Sequence, residues 1–444
     1  MSESSQPHAS LSVTEGVAMM VGIVVGIGIF MTPPLVASNV DSEWAFEGAW
    51  ILGGVVTLLG ALCYAELASA YPKSTGEHHF LTRAYGRTVA LFFAWARSTV
   101  IQTGAIAAVA FVYGDYAQQL LPLGPYGAAI HGAVVVIAMT ALNVLGTPQS
   151  KRVQVVLTGL SLLALLAVIV AGFVANGSDA AAAAPAADPS PSGGAFGMAM
   201  VFVLLTYGGW NEAAYLSGEM RDARRDMVKV LVAGTAIIAV AYGVVNLAYL
   251  NVFGLEGLRG TSVAAAELMR IAVGDSAAVV MSLVVCIMAI STINGTIFTG
   301  GRTYQALADV SVLAPLAAWD ARGRTPTNGL LAQGAIALAL IVFGAVTRDG
   351  FRAMVDFTAP VFWFFMLLVS ISVFVLRHRE PDQPRPYRVP LYPVVPALFT
   401  LTCAGLLYSS VTYTGLGALF GIAVLLAGTP LLFMQRPASR APAE

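Results

Sequence analysis

The stretch VVGIGIFMTPP, residues 24–34, interrupts the first long apolar segment of the chain. Gly26 and Gly28 loosen a helix, and the two prolines that follow cannot donate the backbone hydrogen bonds of a continuous one. Lipid offers no water to replace such bonds, so irregular backbone at membrane depth persists only where protein buries it or where it lines a cavity. The stretch therefore predicts a broken helix beside a cavity.

A second break of the same kind lies in a later apolar segment. The stretch LLTYGGWNE, residues 204–212, places the adjacent Gly208 and Gly209 near the middle of that segment. The first broken segment opens the first five apolar spans, and the second opens the next five. Interruptions at corresponding positions of two halves indicate an inverted-repeat transporter whose site lies between the breaks at the bilayer midplane. The alternative is that the glycines only allow close helix packing.

The breaks expose backbone groups of opposite polarity. A helix that restarts after a break presents unpaired amides and a positive N-terminal end, which suit a carboxylate. Carbonyls freed on the other side can accept from an ammonium group. The groups concerned are the amides of Ile27, Gly28 and Ile29 and the carbonyls of Val24, Leu205 and Gly208. One zwitterion would satisfy both sets.

Composition places the whole chain in a membrane. Of the 444 residues, 57% are apolar and 11% are charged, too few charges to cover a water-soluble core. The 23 lysines and arginines are scattered over short loops, so no nucleic-acid partner is indicated. Cys63, Cys286 and Cys403 lie far apart inside apolar segments. They predict no disulfide and no metal framework, and no cofactor is expected.

Twelve apolar segments are long enough to cross about 30 Å of hydrocarbon. They lie near residues 13–37, 48–71, 88–120, 126–145, 153–175, 195–219, 228–253, 275–308, 328–346, 353–376, 393–412 and 415–434. Placing the N-terminus inside puts most lysines and arginines on the cytoplasmic side, as the positive-inside rule requires. The pattern predicts a multi-pass protein of the plasma (inner) membrane with both termini in the cytoplasm.

Several motifs resemble those of one transporter superfamily. GIGIFMTP in the first span and YGGWNEAAYLSGE in the sixth resemble signatures of the amino acid-polyamine-organocation superfamily, and YGGWN is most similar to its L-amino acid transporter branch. CYAELASAYPKSTGEHHFLTRAYG, NVLGTPQSKRVQ, INGTIFTGGR and RPYRVPLYPVVP continue the likeness in the same order. The resemblance implies an all-α, leucine-transporter-like fold: two inverted five-helix repeats, with helices 1 and 6 discontinuous, plus two peripheral helices.

This fold divides the chain into seven stretches. They are a disordered cytoplasmic tail (1–10), a first inverted repeat (11–175), an extracellular Ala/Pro linker (176–194), a second inverted repeat (195–376), a cytoplasmic loop (377–392), helices 11 and 12 (393–434) and a cytoplasmic tail (435–444).

The resemblance also assigns residues to a substrate site. A turn would hold the α-carboxylate, three carbonyls would hold the α-amine, and neighbouring side chains complete the set. These are Gly26, Ile27 and Gly28 for the turn, Val24, Leu205 and Gly208 for the carbonyls, and Thr206, Trp210 and Asn211 beside them. Leu205 stands where the branch often has a bulky aromatic gate, so a smaller gate here would suit a larger substrate side chain.

Two departures from the family pattern bear on coupling and partners. Ser161, in TGLSLLAL, stands where proton-coupled relatives and several exchangers carry a lysine, so coupling through a lysine ammonium is in question. Some animal relatives attach a glycoprotein subunit through a cysteine between spans three and four. The corresponding loop LPLGPYG has none, so no disulfide-linked subunit is predicted.

Ionisable residues at membrane depth are functional candidates. Arg97 lies about ten residues into span three, near the midplane at the helical rise per residue, and Glu212 lies one turn past the second break. The two are predicted either to form a coupling or charge-relay pair, or to be structural, with Arg97 snorkelling and Glu212 capping backbone. Glu66, which Arg83 follows in a basic loop, and Glu219 are predicted gate or structural ion pairs.

Ser291 and Thr292 in span eight form a candidate ion site. By resemblance, sodium-coupled members of this fold use hydroxyls in that span, whereas hydroxyl pairs in membrane helices mostly bond back to their own backbone. H⁺ and Na⁺ are both candidate coupling ions.

The combined reading predicts a secondary active transporter, an antiporter or symporter, that moves L-amino acids by alternating access with membrane lipid around it. A polyamine or other organic-cation carrier is the alternative if Glu212 faces the cavity and the broken turn binds no carboxylate. A transport-inactive amino acid sensor is another. The spans contain no Ser/His/Asp set, HExxH motif or paired acids, so an enzyme is not expected.

Overall fold

The computed structural model describes residues 12–72, 76–146, 151–175, 195–211, 220, 222–307, 313–318, 325–348 and 350–434. Throughout these ranges the regular elements are helices, and no strand occurs. Ten helices are long and apolar enough to cross a membrane, and two shorter apolar helices, Val13–Gly22 and Phe196–Thr206, lie in predicted spans one and six. The prediction of an all-α polytopic membrane protein is confirmed. The count of twelve spans and the inverted repeat stay predictions.

The structure describes eighteen α-helices along the chain. In order they are α1 (Val13–Val24), α2 (Gly28–Met31), α3 (Pro33–Ala37), α4 (Glu43–Ala70), α5 (Glu77–Tyr85), α6 (Arg87–Ala96), α7 (Gln102–Leu120), α8 (Gly127–Val144), α9 (Lys151–Val174), α10 (Ala195–Thr206), α11 (Ala223–Arg259), α12 (Ala264–Ala272), α13 (Asp275–Thr303), α14 (Ala314–Ala317), α15 (Thr327–Thr347), α16 (Gly350–Arg379), α17 (Val394–Tyr413) and α18 (Gly415–Leu426). A π-helix, Arg97–Ile101, joins α6 to α7, and 3₁₀ helices span Tyr304–Leu307 and Thr429–Met434.

The first span is broken at the predicted glycines. α1 ends at Val24, where Val25 leaves the helical region (φ −72°, ψ 76°), and α2 begins at Gly28. Between α2 and α3, Thr32 keeps helical angles (φ −82°, ψ −24°) and its amide donates to the Gly28 carbonyl at 2.9 Å. Helical backbone therefore resumes at Gly28 and continues to Ala37.

Neighbouring helices pack around the broken backbone. α1 packs against α9 and α11, α10 packs against α2, α3 and α4, and α4 runs along α11. Three buried aromatic rings lie among these helices: Trp50 is 6.3 Å from Tyr207 and 6.2 Å from Tyr242, and the two tyrosines are 5.1 Å apart. Ile29 and Phe30, just past the first break, are fully buried. The fold thus meets the condition under which irregular backbone persists at membrane depth.

Several boundaries differ from the sequence predictions for local reasons. α4 begins at Glu43 instead of near residue 48 because the Ser42 hydroxyl caps it, accepting from the Ala45 amide at 3.2 Å. α16 continues to Arg379, three residues into the predicted cytoplasmic loop, with basic side chains in its last turn, where they favour the negative end of a helix.

Two helices lie in stretches predicted as loops. α5 packs on α6 and α16, and α12 packs on α9 and α13. Each is nine residues long and buries one face, so neither has the length of a membrane span.

Five predicted features lie outside the described residues. They are the tails 1–10 and 435–444, the linker 176–194, Glu212 and Glu219.

Candidate functional site

The first break leaves three consecutive amides without helical acceptors. The Gly26 amide turns back to the Val24 carbonyl at 2.7 Å. Among the described residues, no backbone hydrogen bond is donated by the amides of Ile27, Gly28 or Ile29. Their position at the start of a helix is the cause, because no carbonyl lies one turn earlier. These are the donors predicted to meet a carboxylate.

The second break is a tight turn at the end of α10. The Tyr207 amide donates to the Val203 carbonyl at 3.0 Å, and the Gly208 amide donates to the Leu205 carbonyl at 2.9 Å. Gly209 then adopts a φ of +98°, which a residue with a β-carbon rarely adopts. The glycine pair therefore ends the helix where the sequence predicted.

The two breaks touch each other. The Thr32 and Thr206 hydroxyls are 2.5 Å apart, and both side chains are buried. A β-carbon on Gly28 would lie 3.3 Å from the Thr206 methyl carbon, closer than ordinary van der Waals contact, so Thr206 would have to shift by a few tenths of an ångström. A β-carbon on Gly26, in contrast, would have the Val24 carbonyl oxygen as its nearest neighbour, at 3.8 Å. The structure thus brings two members of the predicted set, Gly28 and Thr206, into contact from distant parts of the chain.

A tyrosine that the sequence analysis missed bridges the breaks. The Tyr242 hydroxyl donates to the Val24 carbonyl at 2.9 Å and lies 3.4 Å from the Thr206 carbonyl. Together with the Gly26 amide, it uses both lone pairs of the Val24 oxygen. A buried tyrosine normally finds a partner for its hydroxyl, but the sequence did not indicate which one.

Two further members of the predicted substrate set have different surroundings. Leu205 is 39% exposed, at the position where the family pattern predicts a gate. Trp210 is buried, with its ring 4.9 Å from that of Tyr64 and 6.2 Å from that of Phe399. The tryptophan ring therefore packs on α4 and α17.

A buried carboxylate on α5 was also missed. Glu77 is 5% exposed, and its Oε1 accepts from the Asn211 side-chain amide and from the Tyr64 hydroxyl, each at 2.8 Å. Its Oε2 accepts from Arg97 at 2.9 Å. Arg97 is thus paired with Glu77, whereas its predicted pairing with Glu212 lies outside the described residues. The only signal in the sequence was an acid within a loop of basic residues.

Two of the hydroxyls considered for coupling, one in span five and one in span eight, donate to carbonyls of their own helices. The Ser161 hydroxyl donates to the Leu157 carbonyl at 3.0 Å, and the Thr292 hydroxyl donates to the Met288 carbonyl at 3.1 Å. Ser291 and Thr292 are both partly exposed. Because Thr292 acts as a donor, its oxygen lone pairs stay available to a cation.

Glu66 forms an ion pair with Arg377 of α16. Arg377 donates to both of its oxygens, at 2.7 and 2.5 Å, and the Val389 amide donates to Oε2 at 2.7 Å. Arg83 instead pairs with Glu380 at 2.7 Å. Partners more than 300 residues away could not be inferred from local sequence.

The described ranges contain no group of three or more His, Cys, Asp or Glu residues that could hold a metal ion. All three cysteines are buried with free thiols.

Comparison with known proteins extends over nearly the whole chain. A family model for amino acid permeases matches residues 11–432. The b(0,+)-type amino acid transporter 1 of Mus musculus is 28% identical over 398 residues, which are 87% of this chain and 80% of that protein. The serine/threonine exchanger SteT of Bacillus subtilis (strain 168) is 27% identical over 424 residues, 94% of each chain. The cystine/glutamate transporter of Homo sapiens is 24% identical over 448 residues, 97% of this chain and 86% of that protein.

Proposed function

Because this chain belongs to the amino acid permease family, we propose that it moves L-amino acids across the plasma membrane by alternating access. The relatives compared above are transporters or exchangers of amino acids, and none is an enzyme. Secondary transport of amino acids is the activity that the family and these relatives support.

The contact between the two breaks is the observation that carries the proposal. The amides of residues 27–29 supply hydrogen-bond donors at the positive end of helical backbone that continues to Ala37. The end of α10, which meets that turn through Thr206, supplies carbonyl acceptors. An α-amino acid carries a carboxylate and an ammonium on one carbon atom, so a single small molecule matches both sets.

The ammonium half of the site requires a choice of carbonyls. The Val24 oxygen already accepts from the Gly26 amide and from Tyr242, so an ammonium there would displace the tyrosine hydroxyl. The carbonyls of Leu205 and Gly208 are the other acceptors. Trp210 and Asn211 would act on the site indirectly, because their side chains anchor the segment that follows the break.

The proposed architecture is two inverted repeats, residues 11–175 and 195–376, followed by two further helices, with both chain ends in the cytoplasm. The distribution of basic residues supports this orientation. Fusions of a cytoplasm-dependent reporter to each end test it, because a reporter outside the membrane would be inactive.

Exchange and ion-coupled uptake are both consistent with these contacts. Ser161 offers a neutral hydroxyl in place of a lysine, and the oxygen of Thr292 could contribute to a cation site. Uptake by vesicles with and without Na⁺, and with and without a pH gradient, separates the two. Replacing Thr292 by valine should abolish a Na⁺ dependence if that oxygen binds the ion.

A ligand screen followed by counterflow tests the function. The purified protein is heated with each amino acid, with the matching amine that lacks the carboxylate, and with polyamines. A ligand of the folded state raises the apparent unfolding temperature, so an amino acid should do so and its decarboxylated analogue should not. Any hit is then tested for counterflow in vesicles.

Each outcome of this screen has one reading. Counterflow of an amino acid supports the proposal. Stabilisation by polyamines alone, or binding without counterflow, would contradict it and favour an organic-cation carrier or a sensor.

A further inference from the structure

We propose that Glu77 is a positioning residue for transport, whose carboxylate on α5 holds the second break at Asn211. The proposal rests on the transport function proposed above. It concerns a residue outside the substrate site, acting through the segment that leaves that site.

One carboxylate joins four separate parts of the protein. Glu77 Oε1 accepts from the Asn211 amide and the Tyr64 hydroxyl, each at 2.8 Å, and Oε2 accepts from Arg97 at 2.9 Å. Glu77 belongs to α5, Asn211 follows the second break, Tyr64 lies in α4, and Arg97 begins the π-helix. π-Helical turns within longer helices are frequent at functional sites.

Burial makes these bonds decisive for the local structure. The Glu77 side chain is 6% exposed, and that of Arg97 is 15% exposed. A buried carboxylate is costly unless it is paired and hydrogen-bonded, and here three donors satisfy it. If Asn211 moved away, one of those bonds would be lost, so the carboxylate restrains the asparagine.

The restrained asparagine lies close to the proposed carbonyl acceptors. Residues 207–210 form turns without helical support, so the side-chain contacts of Trp210 and Asn211 hold this part of the chain in place. Trp210 packs on Tyr64, 4.9 Å between ring centroids, and Tyr64 also donates to Glu77. Trp210 and Asn211, the two residues after Gly209, therefore both contact this carboxylate or its partner Tyr64, which constrains the turn that carries the Gly208 carbonyl.

Two other arginines near Glu77, one on α5 and one on α16, have acidic partners of their own. Arg83, further along α5, pairs with Glu380, and Arg377 of α16 pairs with Glu66. His78 and His79 adjoin Glu77 on α5, and the His79 ring lies 6.4 Å from that of Tyr71. Among the contacts of the described residues, Arg97 is a cation that donates to Glu77.

A reciprocal exchange of the two side chains tests the contact. Glu77→Gln removes the carboxylate, and Asn211→Asp places two carboxylates in contact, which cannot both ionise. The double variant Glu77→Gln/Asn211→Asp again pairs one amide with one carboxylate near Arg97. Each single variant should lower kcat/KM in counterflow at least about tenfold, about 1.4 kcal/mol, with most of the loss in KM. The double variant should recover most of it.

The pH dependence of Asn211→Asp is a signature that general destabilisation would not produce. Its adjacent carboxyl groups share a proton in the folded state, so the folded protein binds more protons than the unfolded chain does. Its apparent unfolding temperature and its counterflow should both fall as the pH rises. The double variant should lack that slope.

A matched control and the wild type separate the possible failures. Glu380→Gln breaks another ion pair of α5 without touching the second break, and its counterflow should stay within about twofold of wild type, as expected for a partly exposed pair. If wild type shows no counterflow of any amino acid, the transport function fails, while the unfolding profiles still test the contact.

Two results would overturn the role of Glu77. One is wild-type kinetics in both single variants. The other is a double variant that recovers none of the lost kcat/KM. If the single variants do not fold, a double variant that also stays unfolded counts as this result.

Discussion

Replacing Gly28 by alanine tests whether the two breaks must touch for transport. The added β-carbon would lie 3.3 Å from the Thr206 methyl carbon and 3.4 Å from its Cα, inside a buried contact. Overpacking of this kind costs about 1–3 kcal/mol. Alanine also lowers the entropy of the unfolded chain, which stabilises the folded state by about 0.4–1 kcal/mol. The balance is a net loss of roughly 0–2.6 kcal/mol, with a middle value of about 1.3 kcal/mol.

Gly26→Ala is the matched control, because its β-carbon would have no neighbour closer than 3.8 Å. Only the unfolded-state gain of about 0.4–1 kcal/mol should apply there. Thermal unfolding of the purified, ligand-free variants should therefore rank Gly28→Ala below wild type and Gly26→Ala level with it or above. Counterflow should show a raised KM for Gly28→Ala. Equal stability of the two variants, with wild-type KM for Gly28→Ala, would refute the reasoning.

Three further predictions concern single contacts. Tyr242→Phe removes the hydroxyl that bridges the breaks; unfolding should show a loss of about 0.5–1.5 kcal/mol, and an unchanged stability would argue against the bridge. Thr32→Val and Thr206→Val, singly and together, should give a coupling energy of about 0.5–1.5 kcal/mol in a double-mutant cycle, whereas additive effects would mean that the hydroxyls do not interact. Hydrogen bonding from Arg83 lowers the pKa of Glu380. The stabilisation from this pair is therefore full above the pKa that the carboxyl has in the unfolded chain, and it is lost as the pH falls through the lower pKa of the folded protein. Glu380→Gln should flatten the acid side of the profile of stability against pH, and an identical acid slope in the variant and the wild type would contradict this.

The breaks could be inferred from sequence because their cause is local. Glycine loosens a helix wherever it stands, and lipid excludes unpaired backbone whatever the neighbours are. Val24 to Gly28 and Tyr207 to Gly209 therefore carried their own signal, and the structure interrupts both spans there.

The partners of the buried charges could not be inferred, because their cause is distant. Glu66 is followed by Arg83 in the chain but pairs with Arg377, and Arg97 bonds to Glu77. An ion pair depends on which side chains share a low-dielectric space, and helix packing decides that. Local charge patterns are a poor guide to such pairs.

By itself, the sequence determined that this is a multi-pass helical membrane protein with two interrupted spans, because hydrophobicity and glycine act on a segment without reference to the rest. The tertiary structure decided that the interruptions meet at Thr32 and Thr206, that Tyr242 bridges them, and that Glu77 anchors Asn211. Each of these contacts joins residues more than 100 positions apart. A hydrogen bond over such a separation exists only after packing has placed its donor and acceptor within about 3 Å of each other.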